Sequence, residues 1–520
     1  MDETGVRERI KRNYSFIPKE EIIVTLFVIL AYMCIVWFGA SGVRGSDQYW
    51  YVADVQSLID GHGVQTNNVF PVSVMENVEN IPRPFVHNTP NVYLPVLLGK
   101  IMGAYNGWIF INIISSLLTS LLIYKILKRF VNYQYALLSA IIYLLLPSVT
   151  VASLQPLLEA SISPLVGLVV FLYLESKENF MRWLLLTTTA TVLILCRESF
   201  LPLLILIPIA YLFHHGIKAK YLIRSSVLLL VGMLILILTR HFFEPNVSVP
   251  ILRTITNAVP GRTTNMDNYF NIDAKPLSLY VVMESLWIKL IYSLKEQLLT
   301  FNKNGILFYL PFNLMIVNSL IPIIKSDIAL LRNKIIISTY TLVAIHFMTI
   351  AIMQNQYRYM VPILPVLVMA TGLLISKYDI FHQFSKLKLA YLVLCFILVL
   401  TPINLVISYS NFTAGNEAKV NHNILQSFYS AHIGNEDKIM VEATDDYLMQ
   451  GYLLRPRTVL FINRLYEPNQ YKTLVKNMEI KWLICEINSP VPKLFREPTI
   501  KKVQLLPPPY ENYGLYEIVN

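Results

Sequence analysis

The sequence predicts a mainly α, polytopic membrane protein of about 11 transmembrane helices, with interfacial helices in its outer loops and a small C-terminal extracytoplasmic α/β domain. Three observations lead there. The chain has 520 residues, of which 55% are hydrophobic and only 15% charged, and its mean hydropathy is +0.51, far too apolar for a soluble protein of this size. Apolar runs near the ~20 residues needed to cross a bilayer recur along most of its length. Beyond Ser410 charges become frequent and short β-rich runs appear.

The apolar runs fall at Glu21–Gly39, Gly107–Leu127, Tyr133–Val151, Pro156–Leu174, Trp183–Cys196, Phe200–Phe213, Tyr221–Leu238, Gly305–Ile324, Ile335–Met353, Met360–Ile375 and Leu389–Tyr409. Alternate connections between them are basic. The N-terminal stretch carries Arg7, Arg9, Lys11 and Arg12; later come Lys125, Lys128 and Arg129, then Lys177 and Arg182, then Lys218, Lys220 and Arg224, then Lys325, Arg332 and Lys334, then Lys377, Lys386 and Lys388. Cytoplasmic connections accumulate Lys and Arg, so the N-terminus is expected inside and the chain from 410 to 520 outside a cytoplasmic (inner) membrane. The formal charge of +10 is then a topology signal and not a nucleic-acid footprint, which needs clustering on one soluble face. The first run is full length with no small-residue cleavage pattern behind it, so a retained span is expected in place of a cleaved signal peptide. Of four cysteines, Cys34, Cys196 and Cys395 lie in apolar runs and only Cys485 lies beyond them; neither a disulfide framework nor a metal spacing is visible.

Two outer loops, from Ala40 to about Tyr105 and from Arg240 to about Asn304, are too long for passive connectors. In the first, Ser46 to Gly61 reads as a helix ended by Gly61-His62-Gly63, with Asp47, Tyr51, Asp54 and Leu58 on one face. In the second, Leu277 to Leu299 reads as an interfacial helix. Past the last span, Lys438–Glu442, Thr458–Asn463, Lys481–Glu486 and Tyr513–Val519 read as strands, with helices at Asp445–Leu454 and Glu467–Met478. This divides the chain into a transmembrane catalytic domain at 1–409 and an extracytoplasmic domain at 410–520.

Ionisable residues gather at the outer ends of the spans. Asp47 is either a helix N-cap or a catalytic carboxylate. Asp54 lies two turns on, about 10 Å along the helix, and reads as a solvated face or a substrate contact. Glu159 sits at the mouth of the fourth span, where carboxylates face protein or water. Arg197 and Glu198 emerge between the fifth and sixth spans; they pair with each other, or Arg197 is open to clamp a phosphate. Arg358, between Tyr357 and Tyr359, is an aromatic-belt anchor or a phosphate contact. The second long loop adds Arg240, His241, Arg253, Arg262 and Lys303. A bilayer middle almost free of charge argues for a site at the outer interface.

These residues carry a family resemblance. Asp47, Tyr51 and Ala53 in the first loop, the Gly-rich break, Asn91-Val92-Tyr93-Leu94-Pro95, Gly103, Arg197-Glu198-Ser199, and Tyr357-Arg358-Tyr359 followed by Pro362 and Pro365 resemble the multi-pass glycosyltransferases of the GT-C fold, nearest the protein mannosyltransferase and aminoarabinose transferase type. The likeness spans roughly residues 20 to 410. It implies an inverting transfer of a sugar from a polyprenyl-phosphate donor to a glycan, glycolipid or protein acceptor, with membrane lipid as a further partner and no nucleic acid. Asp47 would be the catalytic carboxylate; Tyr51, Asp54, Glu159, Arg197, Arg262, Lys303, Arg358 and Tyr359 would contact substrate. Asp47-Gln48 stands where that group shows Asp-Glu, and the first loop has no Asp-x-Asp, so no metal is required by the sequence and a divalent cation is left open. A polysaccharide polymerase or ligase would share the leaving group. A lipid-linked saccharide translocator would need broken or polar helices at mid-membrane, for which the sequence offers only Pro147, Pro202 and Pro208. Asn246-Val247-Ser248 and Asn411-Phe412-Thr413 match the glycosylation sequon.

Overall fold

A computed structural model describes residues 19–43, 46–61, 65–66, 83–84, 90–176, 179–243, 279–299, 310–352, 357–378, 389–434, 437–442, 458–461, 475–476, 479–489, 491–494 and 500–519. Helices α1 (Lys19–Gly39), α2 (Ser46–Ile59), α3 (Pro90–Met102), α4 (Ala104–Leu127), α5 (Tyr133–Leu145), α6 (Pro147–Ser153), α7 (Leu158–Glu175), α8 (Phe180–Cys196), α9 (Leu203–His215) and α10 (Ala219–Phe243) form the first part. Then come α11 (Leu279–Leu299), α12 (Leu310–Ser319), α13 (Ile321–Ile324), α14 (Ile328–Leu331), α15 (Lys334–Ile352), α16 (Leu364–Lys377) and α17 (Leu389–His432).

Among the described residues six helices are long and apolar enough to cross a membrane, and the bent pair α5–α6 makes seven. Each apolar run read from the sequence carries helix, but several of those helices are short. The third run is broken at Leu146, where Pro147 cannot donate a backbone hydrogen bond, and its two halves meet at 53°. Apolar side chains cover the lipid-facing surfaces of α1 and α10, with Phe38, Ile23, Leu230 and Ile237 all well exposed. Inside, polar residues satisfy one another: the Tyr32 hydroxyl lies 2.6 Å from Ser153 Oγ, which is 3.1 Å from Ser116 Oγ. Such contacts average ~0.6 kcal/mol in membranes.

Some of the basic connections are joined by ion pairs. Arg129, after α4, and Arg182, at the start of α8, both pair with Glu175 at the end of α7, and Lys377, ending α16, lies 2.8 Å from Asp327 before α14. Four connections that the charge pattern assigns to the same side are thereby tied in two pairs.

The first-loop helix runs from Ser46 to Ile59, and Gly61 follows with φ +82, a left-handed backbone that favours glycine. Farther along the loop, β1 (Gln65–Thr66) pairs antiparallel with β2 (Arg83–Pro84). In the second loop α11 packs against α15. Tyr280, Met283, Trp287 and Ile291 are exposed, whereas Ser285 and Lys289 are turned inward.

The last helix, α17, runs without a break through the composition change at Ser410 to His432. At ~1.5 Å per residue it is about 65 Å long, twice the hydrocarbon thickness. Beyond it β3 (Ile439–Glu442), β4 (Thr458–Phe461), β5 (Trp482–Glu486), β6 (Ile500–Leu505) and β7 (Tyr513–Ile518) form a five-stranded sheet in the order β4-β3-β5-β7-β6. The pairings β3–β4 and β3–β5 are parallel, and β5–β7 and β6–β7 antiparallel. Four strands match the β-rich runs; β6, exposed along most of its length, has no apolar alternation to announce it. The helices read at 445–454 and 467–478 fall almost wholly outside the described residues.

Candidate functional site

The site is built against α4. Trp108 and Asn112 lie one turn apart on this helix, both fully buried, and each reaches a different neighbour. Trp108 Nε1 donates to Tyr51 O at 3.0 Å and its ring meets Tyr51 edge-on at 5.6 Å. Asn112 Nδ2 donates to Gln155 O at 2.7 Å. The first contact holds α2, which carries the two aspartates; the second holds the turn entering α7, four residues before Glu159. Satisfying the indole and amide donors inside an apolar wall requires these partners, so the wall sets the places of both acidic segments.

Glu159 in the first turn of α7 meets Arg197, the residue that ends α8, with Nη1 2.9 Å from Oε1. The side chains are 5% and 13% exposed respectively. Arg197 thus pairs across 38 residues of sequence, and the side chain of its neighbour Glu198 is outside the described set. The α8 helix ends here because Arg197 turns to an extended backbone, followed by the single 3-10 turn Glu198–Phe200.

A second 3-10 segment, Tyr357–Ile363, packs against α7 and against α15. It is anchored by Met360, Val361 and Ile363, all fully buried. Arg358 and Tyr359 lie on it, so the backbone of a third predicted site segment meets the helix of Glu159, although the side chains of these two residues are outside the described set.

In α2, Asp47 is the second helical residue, so it belongs to the first turn and its side chain is likewise outside the described set. Asp54 is 1% exposed. The solvated-face reading of Asp54 is therefore overturned: the carboxylate is held in the protein, where one face of α2 packs on α3 and α4. Tyr51 is buried on the same helix. Arg262 and Lys303 lie outside the described residues, as does Arg253; Arg240 and His241 end α10 with side chains that are not described. Among the described residues no three His, Cys, Asp or Glu side chains come together as a metal centre requires.

Sequence reasoning missed Trp108, Asn112 and Lys289. An Asn inside an apolar span was a usable signal, since an amide at that depth must find a partner. Lys289, buried on α11, has its ammonium pushed down to about 8 by burial. The sequon at Asn411 is also corrected: this residue is buried, and its Nδ2 donates to Gly39 O at 2.7 Å, so the amide is committed inside the fold.

The helical order around this wall is that of a multi-pass membrane fold, and it is shared with solved glycosyltransferases of the GT-C fold. More particularly, residues 93–242 match the family model described as dolichyl-phosphate-mannose-protein mannosyltransferase. The structure is similar to ArnT from Cupriavidus metallidurans in the apo state, with TM-score 0.56 and 12% identity over 95% of this chain and 98% of that one. The form of ArnT bound to undecaprenyl phosphate gives TM-score 0.55 at 12% identity and the same coverage. The Archaeoglobus fulgidus oligosaccharyltransferase in complex with Zn and sulfate gives 0.51 at 11% identity, over 89% of this chain and 68% of that one. No curated protein sequence is similar to this one.

Proposed function

We propose that this protein is an inverting glycosyltransferase that moves a sugar from a polyprenyl-phosphate donor to an acceptor hydroxyl on the outer face of the cytoplasmic membrane, with about 11 spans, the N-terminus inside and residues 410–520 outside. The observation that carries this reading is the pair of contacts from α4, Trp108 to Tyr51 and Asn112 to Gln155, which place the aspartate helix and the Glu159–Arg197 pair on one wall. The likeness of the whole chain to an enzyme bound to undecaprenyl phosphate supports the choice of donor.

In the proposed reaction the acceptor oxygen attacks the anomeric carbon from the side opposite the phosphate. A carbon–oxygen bond forms there as the anomeric carbon–phosphate oxygen bond breaks. Asp47 takes the acceptor proton as general base, a role worth typically ~10²–10⁴ in rate. The departing polyprenyl phosphate keeps the bonding electrons, so fixed cations lower the barrier. Arg197, held by Glu159, and Arg358 are the proposed cations, with Arg262 and Lys303 of the second loop behind them. Tyr359 completes the substrate contacts, Tyr51 and Asp54 are buried on the helix that carries Asp47, and residues 410–520 select the acceptor. A polymerase or ligase would differ only in acceptor. The translocator reading gains nothing from the break at Leu146, because Asn404 Nδ2 donates to Leu145 O at 2.9 Å and closes the freed backbone within protein.

The test is Asp47→Asn, assayed for transfer from the isoprenoid-phosphate sugar that mass spectrometry finds copurifying with the wild-type protein. Turnover should fall by at least ~10² with membrane insertion unaltered. Unchanged turnover would remove Asp47 as base, and copurifying lipids devoid of isoprenoid phosphate would count against the donor.

A further inference from the structure

We propose that α17 positions the first-loop carboxylate helix, with Asn411 as the positioning residue for Asp47. The inference rests on the glycosyltransferase reading for its consequence on rate, though not for its geometry.

Asn404, Ser408, Asn411 and Gly415 recur at intervals of four, three and four, and so share one face of α17. The face makes two kinds of contact. Its inner half ties α17 to the transmembrane bundle, through Asn404 Nδ2 to Leu145 O at 2.9 Å and Ser408 Oγ to Ile35 O at 2.7 Å. Its outer half grips the start of the first outer loop. Asn411 Nδ2 donates to Gly39 O, the last residue of α1, and Ser41 Oγ donates back to Asn411 O at 3.0 Å and Phe412 O at 2.9 Å. Gly42 and Gly415 then pass so close that a Cβ on Gly42 would lie 2.9 Å from Gly415 O. The Gly42 N–H is held in turn by Tyr105 Oη at 3.2 Å.

Asp47 follows five residues after this clasp. On its other side α2 is gripped again: Ala53 is buried in one cluster with Leu425, Phe428 and Tyr429 from the far end of α17 and with Ile484 and Leu515 of the sheet. A single unbroken helix therefore holds the chain both before and after Asp47. Both grips lie on the same continuous stretch of helix, from Asn411 to Tyr429, which couples the entry of the loop to the position of Ala53. An ordinary C-terminal cap needs only the bond from Asn411 to Gly39; it does not need the return bonds from Ser41, the glycine crossing or the second grip.

The experiment compares Asn411→Ala with Asn404→Ala in the full chain. Each removes one interhelical side-chain bond from the same face of α17, but only the first touches the loop. Amide hydrogen exchange over residues 41–52, read without any substrate, should quicken at least tenfold in Asn411→Ala and stay within twofold of wild type in Asn404→Ala. With the copurifying isoprenoid-phosphate sugar, kcat should fall at least tenfold in Asn411→Ala at a KM within threefold of wild type. Gly415→Ala presses on Ser41 from the opposite side and should give the same pattern; it carries the test if Asn411→Ala does not accumulate as folded protein. Equal exchange in the two Asn variants, or a change in KM with kcat preserved, overturns the proposal. Because exchange needs no activity, a failure of the glycosyltransferase reading would appear separately, as Asp47→Asn retaining full transfer.

Discussion

The Glu159–Arg197 contact offers the sharpest energetic test. At 2.9 Å and an effective dielectric of ~20, the Coulomb attraction is about 6 kcal/mol, set against the cost of taking both groups out of water. With side chains only 5% and 13% exposed, removal of one partner breaks a buried ion pair, which costs ~3–5 kcal/mol. Arg197→Met and Glu159→Gln should therefore each destabilise the protein by a few kcal/mol, while the double variant should recover most of that loss, since replacing a whole buried pair is often close to neutral. The assay is a double-mutant cycle on denaturation in detergent micelles, followed by tryptophan fluorescence. Activity should not recover with stability: the double variant lacks the cation proposed to face the departing phosphate. Single variants within ~1 kcal/mol of wild type, or a coupling energy near zero, would refute the view that the pair is a buried, coupled contact.

Other expectations follow from the wall and from the second loop. Trp108→Phe deletes the donor to Tyr51 O while keeping most of the ring packing; a stability loss of about 1 kcal/mol, with a larger fall in transfer, is expected from parallel melting and turnover measurements. Asn112→Leu removes the donor to Gln155 O and should slow transfer through the Glu159 turn, visible as a kcat effect at unchanged expression. For Lys289, burial holds the ammonium at about 8 against 10.5 in the open chain. The folded protein then binds fewer protons than the unfolded chain between those values, so stability rises with pH across that window. Lys289→Met should flatten that rise, read as the slope of melting temperature against pH between 8 and 10; an unchanged slope would contradict the burial argument.

How far the site could be read in advance depended on the kind of interaction. Asp47 and Glu159 stood out as candidates because a carboxylate at a span end is conspicuous against apolar neighbours, and Gly61 announced the end of α2 through its local backbone. Asp54 was misread as solvated because the helical face it shares with Asp47 is recognisable from spacing, but what covers that face is not. Arg197 has Glu198 as its sequence neighbour, yet it bonds Glu159, 38 residues away, since the extended backbone at 197 and the start of α7 bring those two groups together. The inward turn of Lys289 escaped notice for the same reason: on an isolated helix a lysine belongs with the polar residues, and only the packing of α11 on α15 reverses it.

Taken alone, the amino-acid order determined the membrane class, the helical runs and the alternation of basic connections, because all three depend on the local balance of apolar and charged residues against the thickness of a bilayer. Only the tertiary structure decided that Glu159 would pair with Arg197, that Trp108 and Asn112 would join the acidic loop to that pair, and that α17 would clasp the chain on both sides of Asp47. These are contacts between groups tens to hundreds of residues apart, and they exist because buried polar atoms must find partners wherever the packed helices bring them.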